Sequence, residues 1–118
     1  MACTSENDYL PVRYNLPSAM AGRTYPGTGI ITLTVNDAPP VNSLSAVEMT
    51  FTEIESVSAN LVLSSRANTL VIDDAAAWSF YMPEQILDLS KGVYNYVLDT
   101  YSTTGQFRSY VYGTLKLV

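Results

Sequence analysis

The sequence predicts an all-β fold: an antiparallel β-sandwich preceded by an irregular N-terminal arm. Three observations carry that expectation. Segments from residue 30 onward alternate apolar and polar side chains with a period of two, the signature of a strand buried on one face and wet on the other. Clusters of turn-forming residues separate those segments at short intervals. Only residues 83–89 look helical, and the 118 residues are enough for one two-layer domain but not for two.

In chain order, residues 1–25 form the arm and residues 26–118 the sandwich domain. Pro11, Pro17 and Pro26, followed by Gly27 and Gly29, break any regular ladder in the first part. Tyr9, Leu10, Val12, Tyr14, Leu16, Met20 and Tyr25 are apolar anchors along it, available either to its own domain or to a neighbour. Deletion of 1–25 is expected to leave a folded monomer and to weaken assembly. Ile31, Leu33 and Val35 share one face of a first strand, with Thr32 and Thr34 on the other. Asn36, Asp37, Pro39 and Pro40 make a turn. In the second strand Val47, Met49 and Phe51 alternate with Glu48, Thr50 and Thr52.

Residues 61–63 and 69–72 read as two short strands joined by a hairpin loop over 64–68. Trp78, Phe80 and Met82 alternate with Ser79 and Tyr81, which places Trp78 mid-strand on an apolar face. Pro83 with Glu84 and Asp88 predicts one helical turn, since proline suits a first helical position and acids suit its positive end. The last two strands are the plainest. Tyr94, Tyr96 and Leu98 face the core against Asn95, Val97 and Asp99, and residues 107–118 return after a loop containing Gly105. Gly113 marks a bulge or a close backbone approach.

Charge narrows the function. Eleven acids against six bases give a net charge of −5, and charged residues are only 14% of the chain. The bases (Arg13, Arg23, Arg66, Lys91, Arg108, Lys116) are scattered, so neither direct nucleic-acid binding nor attachment to an anionic membrane is expected. No apolar run approaches the roughly 20 residues of a membrane-spanning helix. The first residues have neither a basic nor an apolar stretch, so synthesis in a cytoplasm without signal-directed export is expected. Cys3 is the one cysteine, which excludes an intrachain disulfide.

No residue set predicts a reaction. The chain contains no histidine, which removes Ser–His and Cys–His nucleophile pairs. Glu48, Glu53 and Glu55 do not share one strand face, so they read as a charged edge or solvent face and not as a metal site. Asp73 and Asp74 read as a solvated turn. No cofactor and no metal is expected, and the chain reads as a non-enzyme. Nine tyrosines are the compositional excess. Large rings that are part wet and part buried suit interfaces, so Tyr101, Tyr110 and Tyr112 join Tyr9, Leu10, Val12, Tyr14, Leu16 and Tyr25 as candidate interface residues. Their alternative is cross-strand packing within one domain.

The terminal hairpin carries a resemblance. Gly92-Val93-Tyr94-Asn95-Tyr96-Val97-Leu98-Asp99, a polar turn with Gly105, then Tyr110-Val111-Tyr112-Gly113-Thr114-Leu115-Lys116-Leu117 resembles a pattern found in small virion proteins of tailed bacteriophages. Gly27-Thr28, the strand over 30–35 and Leu44-Ser45-Ala46 resemble the opening of the same family. The whole is similar to the immunoglobulin-like sandwich of phage tail and baseplate proteins, including the N-terminal domain of baseplate upper proteins. The resemblance covers residues 26–118 and has no counterpart for the arm.

It implies an immunoglobulin-like antiparallel β-sandwich in a non-enzymatic virion structural protein, an adaptor or spacer of the tail or baseplate. Such a part docks on other virion structural proteins, forms a homo-oligomer in a symmetric assembly, and resides in the virion after assembly in the host cytoplasm. Two other readings stay open: a head decoration (cement) or head–tail connector protein, and a carbohydrate-binding module using Trp78 and exposed tyrosines.

Overall fold

The structure is a computed structural model. It describes residues 2–5, 12–35, 40, 42–54, 58–105 and 107–118; for 2–5, 35 and 107–110 the description is of the backbone. Among these residues every regular element is a strand. The order is β1 (Ala2–Ser5), β2 (Val12–Arg13), β3 (Thr24–Tyr25), β4 (Ile31–Val35), β5 (Leu44–Glu53), β6 (Leu61–Ser64), β7 (Val71–Asp74), β8 (Ser79–Tyr81), β9 (Gln85–Ile86), β10 (Gly92–Ser102) and β11 (Phe107–Leu117). The all-β expectation is met.

The strands form a five-stranded sheet in the order β2-β11-β10-β5-β6, a four-stranded sheet in the order β1-β4-β8-β7, and the small pair β3-β9. In the larger sheet β10 runs antiparallel to both β11 and β5, and β5 antiparallel to β6. At its far edge β2 lies parallel to β11. In the other sheet β4–β8 and β7–β8 are antiparallel, while β1 lies parallel to β4.

Strict alternation decides which side chains meet. On β10, Tyr94, Tyr96 and Leu98 turn inward and are buried, and Val93, Asn95 and Val97 turn outward. Met49 and Phe51 of β5 join them from the same sheet, and Ile31, Leu33 and Phe80 join from the other, in a single apolar cluster. Tyr96 and Phe51 are cross-strand partners with ring centroids 5.9 Å apart. Aromatic and aliphatic side chains from both sheets thus exclude water from one shared interior, where apolar burial supplies the main stabilisation.

Segment 12–25 belongs to this body. Beyond β2 it continues beside β11: Tyr14 N–H donates to Tyr112 O at 2.8 Å, Leu16 N–H to Thr114 O at 2.9 Å, and Ala19 N–H to Lys116 O at 3.1 Å. Leu16 and Tyr25 are buried in the core cluster. The Tyr96 hydroxyl donates to the Tyr14 carbonyl. A β-carbon on Gly113 would fall 2.0 Å from the same Tyr14 carbonyl oxygen, so glycine there permits the backbones to approach, one of the two roles its position suggested. An arm that can be removed without loss of fold does not agree with this packing, because two of its anchors fill the interior.

Three local expectations give way. Residues 61–72 are not a hairpin: β6 pairs with β5 in one sheet and β7 with β8 in the other, so the connection crosses between sheets. The crossing is tight. Thr69 N–H and Leu70 N–H both reach Ser64 O at 3.1 Å, and Asn68 takes a positive φ of 62°. Trp78 is not mid-strand; it ends the turn before β8 with φ 57°, its ring still buried. Its indole N–H donates to Asn42 O at 2.5 Å, a partner only tertiary structure supplies. Residues 83–89 form no helical turn. Gln85–Ile86 pair with Thr24–Tyr25, and Leu87 and Leu89 are buried either side of exposed Asp88, a period of two.

Candidate functional site

The outward face of the five-stranded sheet is the candidate site. Strand register builds it in rows across the strands. Val97 of β10 stands beside Tyr112 of β11 and Thr50 of β5, and Thr50 stands beside Val62 of β6. Arg13 of β2 closes that row next to Tyr112. The next row is Thr114, Asn95 and Thr52. Beyond it lie Lys116 and Val93, with Ile54 N–H donating to Val93 O at 3.3 Å. On the other side of the Val97 row, Asp99 stands beside Glu48, and Glu48 beside Ser64.

Five of the large apolar side chains that the fold leaves exposed are on this face: Ile54 (45%), Val62 (48%), Val93 (37%), Val97 (37%) and Tyr112 (41%). Between them are threonines and Asn95, which hydrogen-bond without the desolvation cost of a full charge. The middle of the face therefore carries a single charge, Arg13 at its β2 edge. Its acids, Glu48 and Asp99, sit in one bounding row, and Lys116 sits in the opposite one. A face of this composition suits contact with another ordered surface.

The anticipated interface residues divide. Tyr112 is exposed on this face, and Tyr101 is half-buried at its acidic end, where the Arg66 guanidinium lies 5.0 Å from its ring centre. Val12 and Tyr14 are half-buried along β11, and Leu16 and Tyr25 are buried within the chain itself. The Tyr110 side chain and residues Tyr9 and Leu10 lie outside the described residues. Reading the sequence for tyrosine alone passed over Val62, Val93, Val97 and Ile54. The signal that finds them is valine at the outward positions of an otherwise alternating strand, such as Val93 and Val97 opposite Tyr94 and Tyr96.

Of the acidic residues proposed for an edge or solvent face, Glu48 and Glu53 are on β5, which is an interior strand of its sheet; Glu48 faces outward and Glu53 is exposed at the strand end. Glu55 lies outside the described residues. Among the described residues no group of three or more His, Cys, Asp or Glu is placed to hold a metal ion. A concavity of about 250 Å³ opens between Ser45, Ser65, Arg66 and the start of β7. Comparison with family models, characterised proteins and solved structures finds no match to this chain.

Proposed function

We propose that the chain is a non-enzymatic structural protein of a bacteriophage virion, an immunoglobulin-like module of the tail or baseplate that works by docking on neighbouring subunits. The strand order supports the immunoglobulin-like part. In that fold the strands lettered A, B, E and D form one sheet and C, F and G, with an added C′, the other. With β1, β4, β8 and β7 as A, B, E and D, and β5, β6, β10 and β11 as C, C′, F and G, both sheets follow that order. Tyr94, near the start of the F-equivalent strand, donates its hydroxyl to Ser90 O at 2.7 Å, the geometry of a tyrosine corner. The parallel β1–β4 pairing is a departure from it.

The observation that carries the docking role is the outward sheet face, where exposed Val62, Val93, Val97, Ile54 and Tyr112 stand among threonines and Asn95. Repeated around a symmetric particle, such contacts gain avidity without each being strong. The resemblance of residues 26–118 to phage virion domains supplies the setting. Trp78 weighs against the carbohydrate-binding alternative, since its ring is buried and its N–H is engaged by Asn42.

Antibody labelling of intact virions, viewed by negative-stain electron microscopy, tests the reading. Label on the tail or baseplate is the expected outcome. Label on the capsid transfers the role to head decoration or the head–tail connector, and unlabelled particles overturn the proposal.

A further inference from the structure

We infer that the concavity beside the β6–β7 crossing is a binding site for a small organic carboxylate, with the charged end of the ligand on Arg66 and its apolar end on Val71 and Ile72. Its lining residues lie outside the rows of the docking face, so the inference goes beyond the role proposed above. The concavity holds about 250 Å³, just under the range of roughly 300–1,000 Å³ usual for small-molecule sites, which suits a ligand the size of an amino acid.

The crossing loop is held in place by its own hydrogen bonds. Ser65 N–H donates to Val47 O at 3.0 Å, and Val47 N–H donates back to Ser65 Oγ at 3.1 Å, which ties the loop to β5. Ala67 N–H donates to Ser64 Oγ at 3.1 Å, and Asn68 N–H to Ser65 O at 3.3 Å. The loop is therefore ordered before a ligand arrives, which lowers the entropic cost of binding.

The polar part of the lining is rich in donors and contains no acid: it consists of Arg66, Ser65, Ser45 and Asn68. Among the described residues no carboxylate lies within ion-pair distance of Arg66. Its guanidinium lies over the Tyr101 ring, a contact that takes no conventional hydrogen bond and leaves its N–H groups for a ligand. The Asn68 amide makes no hydrogen bond to the described residues. Ser65 Oγ already accepts from Val47 N–H, so its own O–H is the group left to donate.

Charge and surface together select the ligand. One arginine, in a chain of net charge −5, balances one negative charge and not two, which favours a carboxylate over a phosphate dianion. The rest of the lining is apolar. Leu70 is buried and Val71 and Ile72 are half-buried, so an aliphatic group placed there removes apolar surface from water. A bare inorganic anion leaves that surface wet, and a neutral isostere leaves Arg66 without a counter-charge.

The test is titration of the full, isotope-labelled chain with 4-methylpentanoate at constant ionic strength, followed by amide NMR. Saturable shifts of the Ser65, Arg66, Asn68 and Ile72 amides are expected, with a Kd of about 1–10 mM for a ligand of this size. The neutral isostere 4-methylpentanamide should bind at least roughly tenfold more weakly, and so should inorganic phosphate. Arg66→Gln should weaken 4-methylpentanoate roughly tenfold; Arg66 is exposed, so the rest of the spectrum should stay unchanged. Should Arg66→Gln disturb the fold, the comparison of carboxylate with amide on the wild type decides the matter alone. The absence of saturable shifts overturns the inference, as does an amide or a phosphate that binds as well as the carboxylate, or an affinity that Arg66→Gln leaves unchanged.

Discussion

At the scale of single residues, two positions show how closely segment 12–25 is fitted to the sheets. Gly113 pairs with Tyr96 across β10 and β11. A β-carbon there would meet Tyr14 O at 2.0 Å and Tyr96 Cε1 at 3.0 Å, so the backbone of β11 or of segment 12–25 would have to move. Gly113→Ala should cost about 2–3 kcal/mol, the range of an overpacked interior, measured as a lower urea midpoint at unchanged slope. Tyr25 reports on the same seam through pH. Its hydroxyl donates to Pro17 O at 3.0 Å, and burial, with Tyr14 second, pushes its pKa up to about 12. In the unfolded chain a tyrosine ionises near pH 10, so between about 10 and 12 the unfolded state holds fewer protons and stability falls as pH rises. Below about pH 10 this contribution is fully present. Tyr25→Phe should therefore lower stability at neutral pH by about 1 kcal/mol through the lost hydrogen bond. The gap between it and the wild type should then narrow through the alkaline range, measured as unfolding midpoints from pH 8 upward.

At the scale of elements, segment 12–25 completes both the edge of β11 and the interior. Leu16 meets Ile31, Met49 and Phe80 around an apolar gap of about 10 Å³, which puts it between the sheets. Deleting residues 1–25 would empty the Leu16 and Tyr25 positions and uncover the β11 edge. Each lost large side chain costs about 2–5 kcal/mol, comparable to the whole stability of a domain this size. The truncated chain should lack a cooperative thermal transition; a sharp transition near the wild-type midpoint would show segment 12–25 to be dispensable. The sequence reveals elements whose alternation is local. Tyr94, Tyr96 and Leu98 against Asn95 and Val97 need nothing else to be read correctly, and Met49 and Phe51 are equally plain. It conceals elements whose partner is distant. Nothing near Gln85–Ile86 announces that Thr24–Tyr25 will pair with them, so proline and two acids suggested a helix. Ser65 to Asn68 looks like any hairpin loop, because whether its two strands stay in one sheet depends on β8, not on the loop. The candidate face was half legible for the same reason: Tyr112 and Val97 become neighbours through the register of β10 and β11, which single strands do not reveal.

At the scale of the whole molecule, the question is whether these parts unfold together. The extents of 39 × 26 × 23 Å and the single core cluster drawn from both large sheets argue that they do. Trp78, the one tryptophan, is well placed to decide it. Its ring is buried, its indole N–H is held by Asn42 at the entry to β5, and its carbonyl accepts from Leu33 N–H of β4 at 2.9 Å. Its fluorescence therefore reports the seam where one sheet passes to the other. Far-ultraviolet circular dichroism instead weighs all the strands, with β10 and β11 the longest. A single cooperative unit requires both signals to change at one denaturant concentration. The expected result is coincident midpoints, with native emission at short wavelength and protected from iodide. Should the dichroism change at lower denaturant while Trp78 remains protected, the five-stranded sheet would be unfolding apart from the seam, and the shared interior would not be what binds the two sheets into one body.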